Sequence, residues 1–172
     1  MYSSLAENLF FSQVISIRKK FSNTELKFLK LFFEKTNIFP VSVILVDKFV
    51  FFFVKSGDYF TAKPYLKKLR HIIKSRKLLV IRAETTLIKL IFSFFDDIYI
   101  HNVRTNENPK RDMVDVLFLS NKDRAVAVGK EGTYIKTVNY LFKNFISFKN
   151  HIKKSGSIPL ELRCSLTSIH LK

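Results

Sequence analysis

The chain has 172 residues, a formal net charge of +16 and a hydrophobic fraction of 47%. That hydrophobic fraction can fill a core, which excludes a wholly disordered basic tail. A single cysteine excludes a disulfide framework and a multi-cysteine zinc site, and the four scattered histidines show no metal-ligand spacing. The classes that remain are a nucleic-acid-binding protein, a basic membrane-surface protein, and a subunit of an acidic or RNA-rich assembly.

The N-terminal part of the chain predicts an extension followed by a helix. Residues 1–21 lack the charge and apolar pattern of a secretory signal and predict a partly helical extension. The sequence SNTE at 22–25 has the form of a capping box, and apolar residues three or four apart follow it. The helix is expected to end near Asn37, since Pro40 prevents its continuation.

The most apolar run of the chain, residues 38–54, is the one candidate for a membrane span. It is short for a bilayer crossing and carries Asp47 and Lys48 at its centre. We therefore predict two buried strands, 41–46 and 49–54, joined by a tight turn at these two residues. The aromatic run in the second strand is expected to be buried on both faces of a central strand.

The remaining chain repeats the same order of elements. A helix is predicted from Pro64, followed by a strand at 77–83. The second set is expected to comprise a helix at 85–95, strands at 97–104 and 112–119, a short helix at 123–128, a helix at 133–145 and a weak strand at 146–152. This order predicts an N-terminal extension (1–21), a first domain (22–83), a second domain (84–152) and a basic tail (153–172), in an α+β fold.

The sequence GKEG at 129–132 is the sharpest local feature, because two of the chain's four glycines lie three residues apart there. Glycine permits a tight turn between two helices and leaves room for a sugar-phosphate strand. The helix that begins at Thr133 directs its free amides toward the loop, where they favour an anion. Lys130 adds a positive charge, and Glu131 and Lys136 complete the predicted RNA-binding set. The KH module binds nucleic acid in the same way, because its GxxG loop holds a nucleotide backbone.

The run DRAVAVGKEGTYIKTVNYLF, residues 123–142, resembles the second KH domain of the NusA family. Residues 25–54 resemble the start of the short archaeal-type NusA-like proteins, which consist of two KH domains. The resemblance covers roughly residues 23–152. It implies two tandem KH domains of the prokaryotic type II form, each a three-stranded sheet packed against helices. It also implies a single-stranded RNA-binding protein that acts in transcription elongation, in termination or in ribosome-related RNA handling.

The first domain departs from this pattern, because residues 60–63 (FTAK) stand where its glycines are expected. The first loop is therefore predicted to be degenerate. A basic stretch can still contribute secondary RNA contacts through Lys63, Lys67, Lys68, Arg70 and Lys74. Tyr134 and Tyr140 on the last long helix are candidates for edge contacts with RNA.

An alternative function is a ribosomal or polymerase-associated protein that keeps a KH-like fold for docking. The sequence lacks the paired carboxylates, nucleophile constellation, phosphate loop or metal set that would indicate an enzyme, so we expect a non-catalytic protein. We also expect no cofactor and no membrane partner. Asp96 and Asp97 are interpreted as the end of a helix and the start of a strand. The abundance of Phe and Lys indicates an AT-rich genome, hence a plastid or mitochondrion, or else the cytoplasm of an archaeon or an AT-rich bacterium.

Overall fold

The computed structural model describes residues 4–106, 112–149 and 160–169. The chain divides into two compact units. The first unit is Ile17–Thr85, and the second unit combines Met1–Ser16 with Thr86–Lys172.

Two short elements precede the main part of the first unit. They are α1 (Ser4–Phe11) and β1 (Ile15–Ile17). The helix predicted within residues 1–21 is therefore present as α1. These residues do not, however, form a separate extension. Residues 4–16 belong to the second unit, where the Glu7 carboxylate accepts hydrogen bonds from the Thr105 backbone N–H and hydroxyl at 2.7 and 3.3 Å.

The first unit consists of a helix, a hairpin, a helical segment and a final strand. Its elements are α2 (Asn23–Thr36), β2 (Ser42–Val46), β3 (Phe49–Val54), α3 (Tyr59–Ala62), α4 (Leu66–Ile72) and β4 (Lys77–Arg82). The capping box at α2 is confirmed: the Glu25 N–H donates to the Ser22 hydroxyl at 3.2 Å, and the Ser22 N–H donates to the Glu25 carboxylate at 2.8 Å. Asn37, with φ 58°, ends the helix.

The predicted hairpin is also confirmed. Val46 pairs with Phe49 across a two-residue turn in which Asp47 has a positive φ. In the sheet order β2-β3-β4, β3 is antiparallel to β2 and parallel to β4. All six residues of β3 are buried, which confirms a central strand covered on both faces. No described helix is long and apolar enough to cross a membrane.

The second unit repeats this order. Its elements are α5 (Leu87–Ser93), β5 (Asn102–Asn106), β6 (Asp112–Phe118), α6 (Asn121–Val128), α7 (Thr133–Asn144), β7 (Ile146–Phe148) and β8 (Leu160–Leu166). The sheet order is β5-β6-β8, with an antiparallel first pair and a parallel second pair. Each unit is thus a mixed α and β structure in which a three-stranded sheet packs against helices.

The end of the second unit differs from the prediction. Within the described part of the expected strand at 146–152, the structure has the short β7, which pairs with β1 in a separate two-stranded sheet, and residues 150–152 lie outside the described residues. The third strand of the main sheet is β8, which lies in the expected basic tail (153–172). Leu160, Leu162 and Cys164 alternate inward along β8 and are buried, so apolar period-two packing defines this strand despite its polar neighbours.

Candidate nucleic-acid interface

The junction between α6 and α7 is a tight left-handed turn. Helix α6 ends at Val128 and α7 begins at Thr133. Between them, Gly129, Glu131 and Gly132 have φ values of 77°, 55° and 71°. Such values favour glycine, so the two glycines allow a turn that most sequences would resist.

Gly129 is required by the packing of the junction itself. A Cβ at this position would lie 2.8 Å from the Tyr134 Cβ and 3.0 Å from its backbone nitrogen. Tyr134 has little freedom to move, because its hydroxyl donates to the Phe94 carbonyl at 2.5 Å and its ring lies edge-on to Phe95. Tyr134 is therefore a packing residue of the second unit, in contrast to the edge contact that we expected.

Gly132 lies in a more open environment. A Cβ there would meet only the flexible end of Lys136, at 3.6 Å, and the tip of a Val128 methyl at 4.0 Å. Gly132 is also the N-cap of α7, and among the described residues no side chain caps this helix start. The first-turn amides of α7 therefore carry the positive end of the helix dipole without a side-chain acceptor.

The predicted RNA-binding residues lie together at this junction. Lys130, Glu131 and Lys136 are exposed, and the Lys136 ammonium donates to the Glu131 carbonyl at 3.3 Å. The Thr133 hydroxyl donates to the Lys130 carbonyl at 2.8 Å, which fixes the turn from inside. The loop thus presents two lysines and a helix N-terminus against a single carboxylate, an arrangement suited to an anion.

The helix pair is attached to the free edge of β8 by two polar side chains. The Asn139 amide donates to the Leu162 carbonyl at 3.0 Å and accepts from the Leu162 N–H at 2.8 Å. The Arg124 Nε donates to the Cys164 carbonyl at 3.2 Å. These contacts fix the loop-bearing helices to the sheet. The sequence analysis did not predict these hydrogen bonds, because β8 lies in the segment that was predicted to be a basic tail.

The corresponding stretch of the first unit has no such turn. The junction between α3 and α4 is residues 63–65, a single right-handed 3-10 turn. This junction begins at the last residue of the expected stretch 60–63. Residues 56–72 are almost entirely helical, and none of them has a positive φ. The first unit therefore carries no glycine loop.

The five basic residues predicted as secondary contacts have different surroundings. Lys63 is half-buried, with its ammonium 5.5 Å from the centroid of the Tyr59 ring. Lys67 and Lys68 line an open depression of about 500 Å³. Arg70 and Lys74 line a pocket beside β4. Apart from Lys63 these side chains are exposed, and their contact with RNA stays a prediction.

Other candidates for chemistry lie in unremarkable surroundings. Asp96 and Asp97 are exposed in a turn after α5. Burial raises the pKa of the Cys164 thiol from 9.0 to about 11, with nearby Arg124 acting in the opposite direction. In the described parts of the chain, no three His, Cys, Asp or Glu residues are grouped to hold a metal ion.

Comparison with known proteins identifies the fold alone. No protein-family model matches the chain, and no curated protein matches it. Among solved structures, the chain is similar to one described as "Crystal structure of APE1850", with a TM-score of 0.58 and 18% sequence identity. The similarity covers 83% of this chain and 100% of that one. At this identity the similarity carries no information about function.

Proposed function

We propose that this chain is a non-catalytic, single-stranded RNA-binding protein with two tandem KH-like units, acting as a NusA-like transcription elongation or termination factor. The observation that carries the proposal is the open, left-handed GKEG turn at 129–132, with its uncapped helix start and its two exposed lysines. RNA polymerase or the ribosome is the expected larger partner.

The common architecture of the two units supports the KH-like assignment. Each unit has a helix, an antiparallel hairpin, a pair of helical segments and a strand parallel to the centre of its sheet. In the second unit the GxxG sequence occupies the turn between the paired helices, which is where the KH module binds a nucleotide backbone. The resemblance of 123–142 to a NusA-family KH domain concerns this same turn.

The geometry suggests how each group would act on RNA. A backbone phosphate would approach Gly132, where there is no side chain to exclude it. The Thr133 N–H already donates to the Lys130 carbonyl, so the amides that follow it in the first turn of α7 would donate to the phosphate oxygens. Lys130 and Lys136 would supply charge. Val126, 58% exposed in the last turn of α6, offers an apolar surface next to the loop for an unstacked base.

The test is a loop variant, K130D/E131D. Aspartate tolerates the left-handed conformation of residue 131, so the fold should persist. We expect the affinity for a single-stranded RNA oligonucleotide to fall about tenfold or more, with a shallower salt dependence. The matched control is K122D, which removes the same two units of charge at the exposed start of α6, where an aspartate suits the helix dipole.

The control separates the loop from general electrostatics. Equal losses in the two variants, with both proteins folded by circular dichroism, would show that charge rather than the loop holds RNA. Full retention of affinity in K130D/E131D would refute the proposed site.

A docking protein that keeps a KH-like fold is the second candidate function. The steric need for glycine at 129 favours it, because that glycine is explained by the packing of Tyr134 without any ligand. Under this alternative the free protein binds oligonucleotides without sequence preference and with steep salt dependence. Selective binding of one oligonucleotide over others of equal length would argue against it.

A further inference from the structure

The first unit contains a pocket of about 410 Å³ where the C-terminal end of α4 meets the start of β4. Four basic side chains line it: Arg70, Lys74, Arg76 and Lys77. Its volume lies in the range of small-molecule sites, roughly 300–1,000 Å³. The pocket is at the opposite end of α4 from residues 63–65, the junction between α3 and α4.

Two of the four cations are held in place by backbone carbonyls. The Arg70 Nη2 donates to the Leu78 carbonyl at 3.1 Å, and the Arg76 Nη1 donates to the Asp47 carbonyl at 2.6 Å. A guanidinium has five N–H donors, so each arginine retains donors for a ligand. Fixed, planar donors are suited to bidentate recognition of phosphate.

The charge of the pocket is not balanced by acids in its lining, which includes no acidic side chain. Two glutamates of the first unit have basic partners elsewhere: Glu34 is 3.8 Å from Lys30, and Glu84 is 3.7 Å from Arg82. Asp47 provides the backbone carbonyl that accepts from Arg76. The four cations therefore create a local field that favours an anion.

Part of the pocket lining is apolar. Phe49 is 4% exposed and is covered by the ammonium groups of Lys48 and Lys77, which are 5.9 and 5.7 Å from its ring centroid. The apolar surface open to a ligand is therefore that of Ile73 and Leu79, which are half-buried. A ligand that matches both features has a phosphate for the arginines and a weakly polar part that packs against these two aliphatic side chains.

We propose that this pocket binds a nucleoside phosphate, either a free nucleotide or the phosphorylated end of an RNA. The site is independent of the glycine loop, because all of its residues lie within Ile17–Thr85. It would give the first unit a ligand of its own where it lacks a GxxG turn.

The test measures binding of uridine monophosphate to the full chain by calorimetry. K74Q/K77Q removes two cations and leaves both arginine–carbonyl bonds in place, so this variant is expected to fold. Loss of charge-assisted hydrogen bonds predicts affinity about tenfold lower. The matched control, K27Q/K35Q, removes two exposed charges from α2 of the same unit, outside the pocket, and should leave affinity within about twofold.

A second arm identifies the source of the phosphate. In the K130D/E131D background, tighter binding of a 5′-phosphorylated oligonucleotide than of its 5′-hydroxyl counterpart supports an RNA end. Equal binding of the two, with binding of uridine monophosphate retained, supports a free nucleotide. Because the uridine monophosphate measurement does not involve residues 129–132, failure of the loop proposal leaves this result interpretable.

Three results would overturn the proposal. They are the absence of saturable uridine monophosphate binding, an equal loss of affinity in K27Q/K35Q, and binding of inorganic phosphate or a glutamate-rich peptide as tight as that of uridine monophosphate.

Discussion

The helix junctions of the two units differ although the surrounding folds match. In the second unit the junction is a left-handed turn around Gly129 and Gly132. In the first unit the junction between α3 and α4, residues 63–65, is part of a right-handed helical run. The sheet order and strand directions are the same in both units. The turn is therefore not needed to build this architecture, which leaves the loop open to a separate role.

The comparison also separates charge from a binding site. The first unit carries eight basic residues and no acid between Lys63 and Arg82, yet none of these residues lies in a left-handed glycine turn. The second unit has only Lys130 and Lys136 at its loop, next to an uncapped helix start. Backbone conformation, rather than the number of lysines, distinguishes the stronger candidate.

Replacement of Gly129 by alanine should have the largest effect on stability. A Cβ would be 2.8 Å from the Tyr134 Cβ, at a backbone conformation that alanine rarely adopts. Backbone strain and overpacking together predict a loss of about 3 kcal/mol or more. Urea unfolding, followed by hydrogen exchange in α6 and α7, measures it.

The control for this prediction is G57A in the first unit. A Cβ at Gly57 would meet nothing within 4 Å, and the residue has no positive φ. We expect stability unchanged or higher by about 0.5 kcal/mol. Similar losses in both variants would contradict a steric requirement specific to the second unit.

Replacement of Asn139 by alanine should destabilise the second unit by about 2 kcal/mol, because it removes two hydrogen bonds to the edge of β8. Asn144 offers a matched control, since its amide makes one exposed bond to the Tyr140 carbonyl and N144A should cost well under 1 kcal/mol. Chemical denaturation compares the two. An N139A protein as stable as N144A would show that β8 does not depend on this attachment.

The first unit was readily predicted from the sequence. Its capping box, its two-residue hairpin turn and the apolar strand β3 are local signals that tertiary contacts reinforce. The position of the glycine loop in the second unit was equally predictable, because glycine spacing and helix periodicity coincide at 129–132.

The end of the second unit was not predictable in this way. Strand β8 is defined by its parallel pairing with β6 and by the side chain of Asn139, which are both long-range contacts. A short segment with alternating polar residues in a basic surrounding gives a weak local strand signal. The steric role of Gly129 was also hidden, since it depends on how Tyr134 packs against Phe94.

Replacement of Gly132 by alanine should separate binding from stability. The φ of 71° predicts a cost of about 1 kcal/mol, while the space around the position is open. If RNA approaches this residue, affinity should fall several-fold in a protein that is still folded, as fluorescence anisotropy with a labelled oligonucleotide would detect. Unchanged affinity in a folded G132A protein would mean that the backbone of the loop is not approached closely by RNA.

The smallest expected effect concerns the buried thiol of Cys164. Burial raises its pKa from 9.0 to about 11, so the folded state retains a proton that the unfolded chain releases. The thiol's contribution to stability is thus fully present below pH 9 and is lost as pH rises toward 11. Linkage predicts that the free energy of unfolding falls by about 0.8 kcal/mol at pH 9.5. Denaturation of wild type and C164A at pH 7 and 9.5 measures the difference, and parallel changes in the two proteins would show that Cys164 makes no contribution.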